Sequence, residues 1–536
     1  MNFKRGIHLK SVYEEDKRML FFKFLIAILP IIWLIIALSK LKMPGYKACS
    51  IALVLTMFLA VLFWKLSGIS TVTGVLEGIL NALWPICLVI VAALFTYNLI
   101  LRTGAMDLIK EMLAGVSMDK RVLTLIIGWG FGNFMEGMAG FGTAVAIPAS
   151  MLAGLGLNPF SAVIACLVAN STPTAFGSVG IPLVTVSAVT GIGSNILAAN
   201  TAIIEAALMF ISPFVMVCIV GGGIKALKGV FLITVVAAAS FTVPAYITAT
   251  VVGAELPDIV GSICCMICTV VAAKIFNKEP QKEYCIEIGD KQKIQTLSLC
   301  KAMKAWCPFI LIFLMLMCTS TLCAPIHDAI AVFKTSTSVY AGKGGNTLTF
   351  SWINTPGIII FIAAIIGGII QGAKISTMFD VLKTTLKANW KTIVTICAVM
   401  STAKVMSYSG MISDIASLLV VVTGGAYPLI SPLIGAIGGF VTGSGTSTSV
   451  LFGGLQAQTA QNLGLSGGWM AAANTLGAGI GKMICPQSIA IGASAISKSG
   501  SESKILRSVF KYFVCYIVVA GIVCFIGTLM QLRVMS

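Results

Sequence analysis

The chain has 536 residues, 58% hydrophobic and only 10% charged, with a formal net charge of +17 and a mean hydropathy of +0.99. That composition excludes an ordinary water-soluble domain and belongs to polytopic membrane proteins. The basic residues sit in short clusters between apolar runs, which reads as positive-inside loop bias and not as a nucleic-acid surface.

Residues 1–19 are polar and mixed in charge. The apolar run 20–39 is too long for a cleaved signal core and reads as the first membrane helix. Spans follow at 47–67 and 82–102, then an amphipathic piece, 104–116, with Asp107, Lys110 and Glu111. The next stretch, 121–156, holds eight glycines between Gly128 and Gly156. Glycine weakens a helix by roughly 1 kcal/mol relative to alanine. The stretch therefore reads as two apolar arms, 121–135 and 142–156, joined by a tip containing Glu136, Gly137, Gly140 and Gly142. Broken backbone survives at membrane depth only when buried in protein or facing a water-filled cavity. Secondary transporters build substrate sites this way.

An interrupted span, 159–190, breaks at Asn170-Ser171-Thr172-Pro173. Spans at 196–220, 231–252 and 258–276 lead to a hydrophilic loop, 277–304, expected to be cytoplasmic. Spans at 305–323 and 352–371 flank a polar loop with His327. The last third carries a span at 392–408, a second Gly-rich hairpin at 427–464 with Gly443 and Gly445 at its tip, an interrupted span at 468–497, and a helix at 509–530. The expected fold is an all-α polytopic membrane protein with about 12 transmembrane helices plus two re-entrant hairpins.

The two hairpins share more than composition. Trp84 and Trp390 are 306 residues apart, and the same offset relates Gly104 to Gly410, Gly132 to Gly438, Phe134 to Phe440 and Gly137 to Gly443. With the offset at 304, Asn170 matches Asn474, Ser171 matches Thr475, Gly177 matches Gly481 and Pro182 matches Pro486. A near-constant offset over that length argues for duplication. In the first copy Arg102, Lys110, Lys120 and Arg121 follow the opening helix; in the second Lys374, Lys383, Lys387 and Lys391 precede it. Basic loops stay cytoplasmic, so the copies run in opposite directions, with a site where the hairpins meet. The expected divisions are N-terminal helices at 1–81, a first repeat at 82–220, connecting scaffold helices at 221–388, and a second repeat at 389–536. The same reasoning puts both termini outside, which Lys4, Arg5, Lys10, Lys17 and Arg18 oppose at the N-terminus.

Few residues in these segments can carry chemistry. Glu136, at the first tip, is an intramembrane acid and a candidate proton carrier; its plain alternative is to cap backbone amides or pair with a lysine. Glu205, mid-span in AANTAIIEAALMF, is a reserve carrier. Lys482, just before Cys485-Pro486-Gln487, can attract an anion into a helix break; its alternative is snorkelling to the interface. Lys404 is a second such lysine. Asn170, Ser171, Thr172, Asn474 and Thr475 offer amides and hydroxyls in the interrupted spans, either to a ligand or to freed backbone. Thr446 and Ser447 at the second tip, and Gln487, add donors. Half-helices starting near Thr143 and Thr446 would aim positive dipole ends at an anion.

Sixteen cysteines lie mostly inside apolar segments and read as small buried hydrophobes. No zinc-like spacing, Walker sequence or Ser/His/Asp set occurs, so no metal, no cofactor and no enzymatic activity are expected. Gly128-x-Gly130-x-Gly132 follows no strand, which rules out a nucleotide loop.

Several long motifs resemble the bacterial L-lactate permease family across nearly the whole chain. They are Gly132-Asn133-Phe134-Met135-Glu136-Gly137-Met138-Ala139-Gly140-Phe141-Gly142, then Leu155-Gly156-Leu157-Asn158-Pro159 and Ala175-Phe176-Gly177-Ser178-Val179-Gly180-Ile181-Pro182. In the second half they are Thr442-Gly443-Ser444-Gly445-Thr446-Ser447, Ala472-Ala473-Asn474-Thr475 and Gly481-Lys482-Met483-Ile484-Cys485-Pro486-Gln487-Ser488-Ile489-Ala490. The resemblance implies proton-coupled uptake of lactate, glycolate and related 2-hydroxy monocarboxylates across the bacterial plasma membrane. One departure is Gly445-Thr446, where many members carry an acid after the glycine, so Glu136 is the only acid at either tip. The partners implied are the monocarboxylate, the proton and the lipid bilayer, with no nucleic acid and a homodimer as the oligomer considered. A passive anion channel and a sodium-coupled carboxylate symporter stay open, the latter because hydroxyls and carbonyls at 170–172 and 474–475 suit sodium.

Overall fold

The computed structural model describes residues 20–41, 43–138, 140, 142–276, 281–286, 299–320, 323–342, 345, 347–498 and 501–530. Residues 1–19, most of the loop expected at 277–304, and Ala139 and Phe141 lie outside the described residues. The chain is an all-α polytopic membrane protein. Eleven helices among the described residues are long and apolar enough to cross a membrane, and three apolar helices are shorter.

The N-terminal part comprises α1 (Leu20–Leu38), α2 (Gly45–Leu62) and α3 (Gly68–Arg102). α3 begins 14 residues before the expected span, because Ser67 caps it by accepting from the Ser70 amide at 3.0 Å. Its first turns place Glu77 in the interior. After α4 (Ala105–Ala114), the Gly-rich stretch folds as α5 (120–138), loosened by wide π-type turns over Thr124–Phe131, and α6 (Thr143–Gly154). Gly140 and Gly142 between them have φ of 60° and 88°, the left-handed region that favours glycine.

The span expected at 159–190 is two helices, α7 (Pro159–Ser171) and α8 (Gly177–Thr190). Pro173 supplies no amide hydrogen to continue α7. Long helices α9 (Ser194–Gly221), α10 (Phe231–Val251), α11 (Pro257–Phe276) and α12 (Leu299–Thr319) follow, then the short α13 (Ala324–Ala331). The polar region after His327 departs from helix. Strands β1 (Lys334–Ser338) and β2 (Thr347–Ser351) pair antiparallel, Lys334 opposite Ser351; their Thr-rich, β-branched sequences suit strands.

Next come α14 (Pro356–Gln371) and α15 (Ile375–Ser409). The sequence reading starts the latter span at 392, whereas the helix extends 17 residues earlier through the lysine-bearing segment. The second Gly-rich region forms α16 (Met411–Thr423), α17 (Tyr427–Thr442) and α18 (Gly445–Asn462). The last interrupted span is α19 (Gly467–Lys482) and α20 (Pro486–Ala495), broken at Pro486, before α21 (Glu502–Leu529).

α17 and α19 are in backbone contact. A Cβ on Gly477 would overlap the Pro432 carbonyl, and one on Gly435 would overlap that of Asn474. Gly439 against Ala478 and Gly481 against Ala436 repeat the contact one turn on. Small residues four apart on both helices permit this approach, and it fixes Lys482 at the end of α19 relative to the second tip. The basic ends also converge. Asn98 donates to Thr385 at 2.9 Å and Thr103 to Gln371 at 2.7 Å, while Gln371 donates to the Lys304 carbonyl at 3.4 Å. Arg102, Lys304, Lys374 and Lys383 therefore share one end of the molecule. Arg121 is buried there, bound to Asp119 at 2.7 Å and to the carbonyls of Ala226 and Lys228 at 2.8 and 3.0 Å.

Gly477→Ala forces these backbones apart. Overpacking of this kind costs about 1–3 kcal/mol, so the variant's thermal midpoint in detergent should fall. Gly154→Ala, whose Cβ would meet nothing within 4 Å, should leave it unchanged or raise it. Equal melting of the two variants would refute the close approach.

Candidate functional site

Four chain breaks converge on one cavity of about 380 Å³. The α5/α6 tip contributes Glu136 and Gly142, and the α7/α8 break contributes Asn170, Thr174, Gly177 and Ser178. The α17/α18 tip contributes the run from Thr442 to Ser447, and the α19/α20 break contributes Lys482, Gln487 and Ser488. Its mouth is formed by Pro44, Tyr46, Asn389 and Lys391. Lys391 Nζ lies 5.8 Å from the ring centres of both Tyr46 and Trp390. The cavity thus opens past the lysine-bearing half of α15, which positive-inside bias makes the cytoplasmic side.

At the cavity wall, Lys482 Nζ donates to Glu136 Oε1 at 2.9 Å and to Thr174 Oγ1 at 3.4 Å. Glu136 is 3% exposed and Lys482 is 9% exposed. The acid's second oxygen has no hydrogen bond among the described residues. Gly177 allows this arrangement, since a Cβ there would lie 2.8 Å from Glu136 Oε1. Beside it Ser178, Val179 and Gly180 carry φ of 48°, 57° and 72°. Left-handed backbone costs Ser and Val roughly 1–2 kcal/mol each, and strain of this kind concentrates at functional sites.

The second tip presents a helix N-terminus. Ser444 caps α18 by accepting from the Ser447 amide at 3.2 Å, so the first turn, with Thr446 and Ser447, faces the cavity. Gly443 turns the chain with φ 67°, and Gly445 packs against the Thr174 methyl group. α20 also starts at the cavity, with Gln487 and Ser488 in its first turn. These positive dipole ends, together with α6, favour an anion.

The structure separates the sequence-derived candidates. Glu136, Lys482, Asn170, Thr446, Ser447, Gln487, Gly142, Gly443 and Gly445 line the cavity. The Asn170 amide nitrogen is buried with no hydrogen bond among the described residues, leaving it available to a ligand. Ser171 instead donates to the Val168 carbonyl at 2.7 Å, and Thr172 meets Ser212 at 3.1 Å. Thr475 donates to the Ala471 carbonyl at 3.0 Å, and Asn474 accepts from Gln456 at 3.5 Å. Glu205 is buried away from the cavity. Lys404 pairs with Glu77 at 2.8 Å, and Tyr408 donates to both Glu77 oxygens at 2.9 and 2.8 Å. Sequence reading passed over Thr174, Ser178 and Ser488; each lies within a few residues of a proline break, and that position was their signal. Among the described residues no cluster of His, Cys, Asp or Glu is arranged to hold a metal ion.

A polytopic helical bundle whose broken segments enclose a charged cavity, open at one end, defines a membrane transporter. A sequence model of the L-lactate permease family matches residues 23–531. The L-lactate permease of Streptococcus iniae is 42% identical over 451 residues, covering 84% of this chain and 94% of the relative. That of Escherichia coli strain K12 is 34% identical over 531 residues, covering 93% and 94%. A glycolate permease of the same strain is 33% identical over 546 residues, covering 96% of each. The chain belongs to the L-lactate permease family and is a multi-pass protein of the bacterial plasma membrane.

Neither residue of the Glu77–Lys404 pair lines the cavity. Removing one partner of a buried pair costs about 3–5 kcal/mol. Glu77→Gln should therefore lower the thermal midpoint in detergent, and Lys404→Met added to it should recover part of the loss. Recovery is the informative result, since a double variant that melts lower still would mean the two residues do not act as a pair.

Proposed function

We propose that this chain is a proton-coupled symporter of L-lactate and related 2-hydroxy monocarboxylates, including glycolate and D-lactate. The observation that supports the reading is the Lys482–Glu136 contact inside the cavity. The names of the relatives, L-lactate permease and glycolate permease, support the substrate class. We also read the two Gly-rich regions as inverted copies, 82–220 and 389–536, with 221–388 as scaffold. Lys482 comes from one copy and Glu136 from the other.

Coupling follows from charge. In the empty carrier Lys482 and Glu136 neutralise each other. A carboxylate substrate competes with Glu136 for the same ammonium group. Protonating Glu136 removes the repulsion and releases Lys482, which then takes the substrate carboxylate. The loaded site again has no net charge. Substrate without proton would leave a net negative charge in the interior, and proton without substrate a net positive one. Each uncompensated ion costs several kcal/mol in a low-dielectric interior, so only the empty and doubly loaded forms cross readily. Asn170, Thr174, Thr446 and Gln487 line the same cavity, and in this reading they hydrogen-bond the 2-hydroxyl and the second carboxylate oxygen.

The cycle moves one proton with one anion and is electroneutral. In vesicles, lactate should accumulate about tenfold per unit of pH gradient, each unit being worth about 1.4 kcal/mol. A membrane potential or a sodium gradient alone should drive none. Glu136→Gln, which mimics the protonated acid, should still exchange lactate but lose accumulation. Lys482→Ala should weaken binding by roughly 10–100-fold, the worth of a charged hydrogen bond. Accumulation by Glu136→Gln vesicles would reduce Glu136 to a structural cap. Flux without accumulation in the wild type would make the protein a channel.

A further inference from the structure

A second buried acid adjoins Glu136. Asp258 opens α11 within Glu255-Leu256-Pro257-Asp258 and is 1% exposed. Its carboxyl group packs on Gly137: a Cβ there would lie 3.2 Å from both Asp258 Cβ and Oδ2. Neither Asp258 oxygen has a hydrogen bond of ordinary geometry among the described residues, and the Ser262 hydroxyl one turn on is its polar neighbour on α11. The charged groups facing it are Glu136 on α5 and Lys482 on α19, with Glu205 on α9 within electrostatic reach. Lys482 is already bound to Glu136. An acid buried in that position is expensive to keep charged, although it lies in the first turn of α11, where the helix dipole favours a carboxylate.

The loop leading to Asp258 stands between two cavities. On one side Ala254 packs its carbonyl against Gly180, in the left-handed turn whose Ser178 lines the central cavity. On the other side Glu255 and Leu256 line a separate cavity of about 190 Å³, with Asn195, His327 and Asn354. That cavity lies at the end of α10 remote from Lys225 and Lys228, which is the outer end by the same basic bias. Glu255 is half-buried, and burial pushes its carboxyl above the usual range.

We propose that Asp258 relays protons between Glu255, at the outer cavity, and Glu136, along a path separate from the one the substrate takes. This rests on the symport reading above. A proton on Asp258 passes to the Glu136 carboxylate, which frees Lys482 and leaves Asp258 charged. A proton from Glu255 then restores Asp258, and outside water restores Glu255. One proton moves at each step and no oxidant or second reactant is needed. Glu205 lines neither cavity and stays outside the path.

The test compares reconstituted wild type with Asp258→Asn, Asp258→Glu and Glu255→Gln. Asp258→Asn should slow lactate uptake driven by a pH gradient by about a hundredfold, the lower range for loss of a positioned proton-transfer group. Lactate exchange at equal pH should be unchanged, because exchange requires no net proton movement. Lactate affinity of the purified Asp258→Asn protein should still fall as pH rises, since Glu136 and Lys482 are intact; in Glu136→Gln that dependence should vanish. Asp258→Glu should restore part of the uptake, and Glu255→Gln should slow it while sparing exchange. Wild-type uptake rates in Asp258→Asn overturn the relay alone. Loss of exchange together with uptake makes Asp258 structural and also overturns it. A wild type that does not concentrate lactate under a pH gradient overturns the symport reading itself.

Discussion

One ion pair inside the membrane-embedded cavity governs how the rest of the protein must be built. Lys482 and Glu136 are 346 residues apart and meet at 2.9 Å. A buried pair of this kind adds little net stability, yet losing one partner is costly. The lysine therefore needs an anion at every moment. Glu136 supplies it in the present arrangement, and in the proposed cycle a substrate carboxylate takes its place. The four chain breaks serve that exchange. They bring helix N-termini, hydroxyls and amides to one place and remove the continuous helix that would otherwise fill the space.

Much of this was legible in the sequence because glycine and proline are conspicuous in apolar spans. The clusters at 128–142 and 435–445, and Pro173 and Pro486, marked all four breaks. Composition alone fixed the membrane class. What could not be read was pairing across the chain. Lys482 has no acidic neighbour in sequence, and Lys404 was a second, weaker candidate for the same role. Only the packing of α19 on the α7/α8 break, Gly479 against the Ser171 carbonyl, and of α15 on α3 assigns the first to Glu136 and the second to Glu77. The early start of α3 hid Glu77, since Gly68–Asn81 fell between the spans expected at 47–67 and 82–102.

Asp258 was missed for a different reason. An acid one residue inside an apolar run resembles an interfacial residue at a helix start, and Pro257 before it strengthens that impression. The loop 252–256 is in fact drawn inward against Gly180, which carries the helix start into the interior. Ser171, Thr172, Asn474 and Thr475 show the converse. Ser171 and Thr475 bond nearby backbone, while Thr172 meets Ser212 on α9 and Asn474 accepts from Gln456 on α18, the alternative that sequence could not separate from ligand binding.

The glycine-lined contact between α17 and α19 has a mechanical consequence. Helices in backbone contact along two turns cannot slide without clashing, so they turn as one stiff lever. Lys482 and the second tip, at the same end of that pair, keep a constant spacing. In the proposed cycle, motion that switches access falls on the looser neighbour, the wide-turned helix bearing Glu136. The strained turn at 178–180 lies beside it, where a small rotation of the backbone could relieve stored energy.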